Sequence, residues 1–464
     1  ESLSFFKDKV SDCIKSGKSI SVTTHIDCDG LTSGSIITKA LIRAGAKCTV
    51  RTSKEFSKNI AESFKTDSRD FHIITDLAGG FANTLDETLG DNWIVLDHHQ
   101  IPEEEKDNQN VINSWKYGID GGVEICAGGM AYLASMALDE KNSDLSAIAV
   151  VSALGDRQDQ GERKSFTGKN FEIANVAKEQ GLVEIDLDLL LVGRETRPLA
   201  DALAFTSQPF IEGLTWNREA CYALLNSSGI RLKEEGRWRV PAELNEEEKR
   251  QVIESITKFT SGKNATEIMS ELIGYTYTFP REDRRSFLRD GREFSTMLNS
   301  CGRINRSGVG MAVCMGDRNK ILREGEVILT DYRKMIREYM NILTNERWRI
   351  SESETCVMVN GVDIVPETMT GTISSLIAGS PKNSGKIVIL RTNGEENTIK
   401  FSSRKSFSCK SDINLSELMR TGAAKFDGIG GGHAAAAGAK ITKDKLDEFL
   451  NYLEVNVVNV SSAN

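Results

Sequence analysis

An α/β fold is predicted: a doubly wound, mostly parallel sheet, with a helical insertion, a long connecting helix and a smaller α/β domain at the C-terminal end. Two observations predict the sheet. Short apolar, β-branched runs alternate with amphipathic segments over the first two hundred residues, the rhythm of strands joined by crossover helices. Acids and histidines stand where those runs end, the side on which open parallel sheets bind ligands.

The first run (Ile20, Val22, Thr23) leads into residues 24–34, THIDCDGLTSG. A turn at Gly30 and a helix over 35–44 are expected. His25, Asp27 and Asp29 recur with period two, so an extended backbone would project them to one side. Two carboxylates and an imidazole crowded there repel one another unless neutralised, and a divalent metal pair suits them. A solvated acidic turn, with a helix cap at Thr32 or Ser33, is the alternative. A strand near 48–51, a helix near 56–64 and a strand at 71–75 follow. That strand ends on Asp76 before Gly79-Gly80, and a helix over 82–89 comes next. The strand at 93–96 ends in Asp97-His98-His99. Apolar helices at 128–138 and 145–154 lead to Asp156, which is either a fourth acidic corner or a simple capping turn.

The 464 residues are too many for one ordinary core. The division expected is 1–205, 206–285 (mainly helical insertion), 286–345 (return to the core and connecting helix) and 346–464. No run is apolar enough to span a bilayer and no signal-peptide pattern is seen. Nine cysteines, odd in number and without a C-x-x-C pair, argue for reduced thiols in a cytoplasmic setting and against a disulfide frame or zinc ribbon. The net charge of −9 argues weakly against non-specific nucleic-acid binding, yet leaves room for a local basic channel.

HIDCDG with Ser33, TDLAGG with Asp76, LDHHQ and ALGDRQD together resemble, in order, the four motifs of the DHH phosphoesterase superfamily. The chain looks most like its RecJ-type nucleases, particularly the archaeal ones. The resemblance implies two Mn²⁺ ions, with Mg²⁺ as the alternative, bridged by Asp76. One ion would take Asp27 with His25, and the other Asp29, His98 and Asp156, with Asp97 close by. His99 would face the substrate phosphate or hold the metal shell. Asp76, Asp97, His98 and His99 are the catalytic candidates. His72, inside a strand, is expected in the core.

Further along, Arg194 and Arg197 either reach phosphates or form surface ion pairs. Helices are expected over 243–260, 265–273 and 324–343. The segment 281–306 carries seven arginines against four acids, and is either a channel wall for a phosphate backbone or a water-facing surface. Its REFSTMLNSCGR resembles the stretch by which these nucleases return to the core. In the last domain Arg404 sits in FSSRKS, and 427–438 (DGIGGGHAAAAG) is expected as a glycine loop opening a small-residue helix, an anion site or else a tight packing turn. It resembles the GGGH motif of the DHH-associated domain, so Ser403, Arg404, Gly431, Gly432 and His433 are the substrate-binding candidates.

The function implied is Mn²⁺-dependent, single-strand-specific exonuclease action on DNA or RNA, releasing nucleoside monophosphates in DNA replication or repair. An oligoribonuclease or cyclic-dinucleotide phosphodiesterase shares the motifs. A manganese pyrophosphatase shares the metal centre, but the glycine motif and basic segment favour a larger substrate. A replication scaffold is the rival of another class. By resemblance, the GINS replication complex is a partner and the 206–285 insertion its contact surface.

Overall fold

The computed structural model describes residues 1–260, 265–406 and 408–458, so 261–264 of the expected insertion and 407 and 459–464 of the last domain lie outside the described residues. The chain divides into two units, Glu1–Leu329 and Thr330–Asn464.

In the first unit, α1 (Ser2–Lys15) precedes β1 (Ser19–His25), α2 (Cys28–Arg43) and β2 (Lys47–Ser53). Then come β3 (Phe71–Thr75), α3 (Ala82–Leu89), β4 (Trp93–Asp97) and β5 (Val111–Asn113). The strands form one parallel sheet in the order β2-β1-β3-β4-β5. The chain leaves β1 to one side and returns to its other side at β3, a topological switch point.

Every residue of β3 and β4 is buried. Ile94 and Leu96 of β4 join Phe6 and Val10 of α1 and Ile37 and Leu41 of α2 on one face. Trp93 and Val95 join Phe64 and Leu85 on the other. A strand apolar on both faces needs helices over both, which is the doubly wound arrangement expected. His72 is buried as expected, stacked on Phe64 at 4.8 Å.

Two apolar helices, α4 (Ala127–Leu138) and α5 (Ser146–Gly155), pack against α2. Glycine makes the close approaches feasible: a Cβ on Gly128 would overlap Ser152 of α5. Beyond them β6 (Glu184–Leu189) pairs antiparallel with β7 (Ile273–Thr278). Between these strands lie the helices Arg218–Ser227, Glu246–Phe259 and Ala265–Leu272, around a separate core that includes Leu203, Leu225 and Ile256. The insertion expected to be mainly helical also holds β7, and the helix expected over 265–273 ends at Leu272, because Tyr275, Thr276, Tyr277 and Thr278 are strong β-formers that find a partner in β6. The chain then returns through α6 (Gly291–Arg303), whose Phe294, Met297 and Leu298 are buried in a further core with Cys28 and Leu31 of α2 and Leu154 of α5. A 26-residue helix, α7 (Lys320–Asn345), follows.

The second unit is a six-stranded sheet. Its strands are β8 (Ile350–Glu352), β9 (Cys356–Asn360), β10 (Ile387–Asn393), β11 (Thr398–Lys405), β12 (Ile429–His433) and β13 (Ala436–Thr442). Their order is β8-β9-β10-β11-β13-β12. α8 (Thr370–Ala378) packs on β10 and β11. On the opposite face α9 (Leu415–Lys425) and α10 (Leu446–Leu453) enclose Phe401, Ala437, Ala439, Met419 and Phe449.

Here one expectation is corrected. The glycine loop and small-residue helix are a β-hairpin, β12–β13, with Gly430 and Gly431 paired to Ala439 and Gly438. The alanines turn alternately into the core, a period of two that a run of identical small residues conceals. His433 therefore ends a strand and opens no helix.

Candidate metal centre

Backbone geometry at the ends of β1, β3 and β4 brings the candidates together. The helix after β1 starts earlier than expected. Asp27 is the N-cap of α2, its carboxylate accepting from Gly30 N–H at 3.0 Å, and Asp29 lies in the first turn. The period-two reading and the cap at Thr32 or Ser33 are thereby replaced: His25, Asp27 and Asp29 converge from a strand end, a cap and a helix. A Cβ on Gly302 of α6 would overlap the Ile26 carbonyl oxygen, so glycine there lets α6 brace the turn. Asp76 has φ 60, a left-handed conformation uncommon outside glycine.

Asp29 is buried, and its oxygens accept from Ala127 N–H (2.8 Å) and Gly128 N–H (2.9 Å) at the start of α4 and from the Ser152 hydroxyl. Asp97 is held from several sides, by Gly79 N–H (2.9 Å), His98 N–H (2.8 Å), His99 N–H (3.2 Å) and His99 Nδ1 (2.8 Å). Asp76 differs: its Oδ2 is buried without a hydrogen-bond partner.

The histidines are oriented by backbone carbonyls. His98 Nδ1 lies 2.6 Å from Gly121 O, which leaves Nε2 3.3 Å from both Asp29 Oδ2 and Asp76 Oδ1. His25 Nε2 lies 3.2 Å from Lys54 O, with Nδ1 3.0 Å from Asp27 and 3.6 Å from Asp76. Donation to a carbonyl fixes the tautomer and frees the other nitrogen as a ligand. Asp156, the C-cap of α5, lies 3.8 Å from His98 and accepts from Gln158 Nε2 at 2.7 Å. It is therefore both capping residue and acidic corner.

Burial and the neighbouring Asp76 charge push Asp29 up to about 7, against the pull of His98. Burial likewise raises Asp156 to about 6. On His25 and His98 burial opposes the charge, but the surrounding aspartates outweigh it and raise both. His99 reaches about 9 in the same way, beside Asp97. Carboxylates that hold protons near neutrality are a cluster short of positive charge.

The ligand atoms fall into three sets, each within 4.8 Å: His25, Asp27 and Asp76; Asp29, His98 and Asp156; and Asp76, Asp97, His98 and His99. The chemistry of the donors fits divalent cations, with carboxylate oxygens and oriented imidazoles around an orphaned Asp76 oxygen.

Sequence reasoning missed Ser152, Gln158 and the Gly121 carbonyl. Gln158 is fully buried and also donates to Gly121 O at 2.8 Å, joining the supports of His98 and Asp156. Nothing local marks them; only the small residues at 127–129 hinted at the helix start that holds Asp29.

Of the two readings offered for Arg194 and Arg197, the ion pair is the one that Arg194 takes. Arg194 pairs with Asp188 at 2.8 Å, and Arg197 stacks on Phe205. In the basic segment Arg285 binds Glu243, Arg292 binds Asp159 and Arg306 binds Glu324. Arg289 donates to the Pro280 and Glu282 carbonyls. Four of the seven arginines therefore have acids or carbonyls as partners, while Arg303 is near enough to Asp27 of the metal centre to help hold its carboxyl low.

In the second unit Arg404 is held by Ser375 Oγ (3.0 Å) and Ser402 Oγ (3.0 Å). Ser403, expected at the substrate, is buried and donates to Ala437 O at 3.0 Å; Ser402 takes its place beside Arg404. Gly431 has open space around it, His433 is exposed, and Gly432 has φ 136.

Sequence comparison agrees with this geometry. The N-terminal domain of the DHH family matches residues 19–155, the DHH-CID domain residues 191–273 and the DHHA1 domain residues 355–459. The chain belongs to the DHH superfamily and has the RecJ-like fold. An uncharacterized protein of Methanocaldococcus jannaschii is 29% identical over 448 residues, 94% of this chain and 92% of that protein. RecJ from Thermus thermophilus, solved with Mn²⁺, superposes with a TM-score of 0.61 at 15% identity, over 99% of this chain and 55% of that one. This chain therefore spans about half the length of the Thermus protein. CDC45 from Entamoeba histolytica superposes with a TM-score of 0.64 at 13% identity, over 97% and 98% of the two chains. At such identities the likeness is one of fold. Among the described residues, no helix is long and apolar enough to cross a membrane.

Proposed function

We propose that the first unit binds two divalent cations and that the chain is a single-strand-specific exonuclease hydrolysing phosphodiester bonds. The Asp76 carboxylate carries this reading, since its orphaned Oδ2 faces His25 at 3.6 Å while its Oδ1 lies 3.3 Å from His98 of the Asp29–His98–Asp156 set. Charge supports it too: two dications offset the carboxylates of Asp27, Asp29, Asp76 and Asp156, while a protonated His99 balances Asp97. Imidazole ligands favour Mn²⁺ over Mg²⁺.

When bound, such a metal pair supplies Lewis-acid activation of a water and neutralises charge developing on the phosphate. The chain's own residues do the rest. Asp97 fixes His99 through Nδ1, and the half-exposed, protonated ring is left to donate from Nε2 to a phosphate oxygen. Arg404, His433 and Gly431 of the second unit hold the strand. The boundaries 1–205, 206–285, 286–345 and 346–464 remain our division of labour: catalysis, partner contact, connection and substrate binding.

End-labelled single-stranded DNA and RNA incubated with Mn²⁺ should shorten progressively to nucleoside monophosphates, in a cytoplasmic replication or repair role. Cleavage of dinucleotides alone would replace this reading with a small-substrate phosphodiesterase. No cleavage by metal-loaded protein would favour the scaffold that the CDC45 likeness suits. For the GINS contact, Trp216 and Tyr222 stand exposed on the insertion. Trp216→Ala with Tyr222→Ala should weaken capture of GINS, and undiminished capture would rule that surface out.

A further inference from the structure

Burial leaves one pair of amides beside the metal centre with little freedom. Gln158, two residues after Asp156, is fully buried, and Asn170 of the helix Gly168–Glu179 is 3% exposed. Gln158 Nε2 donates to Asp156 Oδ2 (2.7 Å) and to the Gly121 carbonyl (2.8 Å), with the Ile125 carbonyl at 3.3 Å. All three are acceptors, so the nitrogen of this amide must face them and its oxygen must face away. That oxygen then needs a donor where water is excluded. Asn170 Nδ2 supplies it at 2.5 Å.

The same logic fixes Asn170. With its nitrogen turned to Gln158, its oxygen faces the Cys126 N–H at 3.4 Å, just before the Ala127 and Gly128 N–H groups that hold Asp29. Its own N–H donates to the Glu124 carbonyl (2.8 Å), and Thr167 Oγ1 donates to the Val123 carbonyl (3.1 Å). The loop carrying Gly121 is thereby docked on the start of this helix. The hydrogen bonds run in one direction, from Cys126 through Asn170 and Gln158 to Asp156 and to the carbonyl that orients His98 Nδ1. They reach the supports of Asp29, His98 and Asp156, which form one ligand set. His25 and Asp27 stand outside: their partners are the Lys54 carbonyl and Gly30 N–H.

We propose that Asn170 is a positioning residue for one of the two metal sites only, acting through the Gln158 amide on His98 and Asp156. This rests on the two-metal reading and deepens it. Removing the Asn170 donor orphans the Gln158 oxygen, so the amide is drawn away from Asp156 and Gly121 towards any donor in reach. Asp156 then loses a hydrogen bond, and the carbonyl that orients His98 loses one of its two donors. His25 and Asp27 keep theirs.

The test is calorimetric titration of the metal-free full chain with Mn²⁺, paired with thermal melts. Asn170→Ala should bind one ion with wild-type affinity and the other roughly 10- to 100-fold more weakly, the usual cost of removing a group that supports a ligand. Gln158→Met, near in shape and without an amide to orient, should show the same one-sided loss. It carries the comparison if Asn170→Ala does not fold. In an Asp156→Asn background, Asn170→Ala should leave the affinity of the remaining ion unchanged, which assigns the loss to the Asp29–His98–Asp156 site. A residue that served stability alone would lower the melting temperature and leave both affinities as they are. That outcome, or weakening of the ion at His25 and Asp27 by either variant, overturns the proposal while the wild type still binds two. Wild-type protein that binds fewer than two ions overturns the two-metal reading beneath it.

Discussion

Asp76→Asn is expected to abolish strand shortening and to release both metal ions together, whereas Asp27→Asn or Asp156→Asn should weaken one. The reason is position. Asp76 Oδ1 lies 3.3 Å from His98 Nε2, and Oδ2 lies 3.6 Å from His25 Nδ1, so one carboxylate faces both ligand sets. Asparagine keeps the shape and tolerates the positive φ of this residue, so the fold should survive. It cannot offer two anionic oxygens, and its amide would set a donor where Oδ2 has none. The rate should fall at least on the order of 10³, because losing even one charge-stabilising donor costs about 10²–10³. Metal titration read by calorimetry, alongside single-turnover cleavage, checks both parts. If the Asp76→Asn protein still binds one ion at wild-type affinity, Asp76 does not bridge.

How far the sequence foretold this site depends on what made each residue visible. His98, His99, Asp97 and Asp76 follow apolar runs directly, and a parallel sheet buried on both faces makes such runs easy to see. Strand ends were therefore legible, and with them the sheet's ligand-binding edge. The supports were not. Ser152 and Gln158 reach Asp29 and the Gly121 carbonyl across the fold, and no periodicity announces contacts between residues so far apart in the chain. Local competition misled twice. The cap of α2 fell on Asp27, because its carboxylate could both stop the strand and accept from Gly30. The alanines after His433 read as a helix by propensity, but pairing with β11 on one side and β12 on the other outweighed it. In the basic segment composition alone does not separate arginines such as Arg285 and Arg292, which acids claim, from Arg303, which acts on Asp27.

Without metal, the first unit should become less stable as pH rises from 5 to 8, and Mn²⁺ should reverse that trend. In the metal-free protein Asp29 titrates at about 7 and Asp156 at about 6, whereas an unfolded chain releases those protons near pH ~4. Between those values the folded state holds more protons than the unfolded one, so its stability falls as pH rises through the folded pKa. His25, His98 and His99 add to the same trend at higher pH, because their aspartate neighbours raise them above the usual histidine value. Asp27 and Asp97 are shifted downward, so their contribution is lost only in strong acid, outside this window. The buried Asp29 alone is worth a few kcal/mol, or a melting temperature lower by roughly 5–10 °C at the upper end. Cations require these ligands deprotonated and bind more tightly as pH rises. At a hundred times its dissociation constant a bound ion adds about 2.7 kcal/mol. Calorimetric melts in EDTA and in Mn²⁺ across pH 5–8 should therefore diverge, the gap widening with pH. Asp76→Asn, which removes the charge that helps raise Asp29, should flatten the EDTA curve. If the metal-free wild type instead gains stability towards pH 8, these aspartates do not share the buried cluster from which the metal centre is inferred.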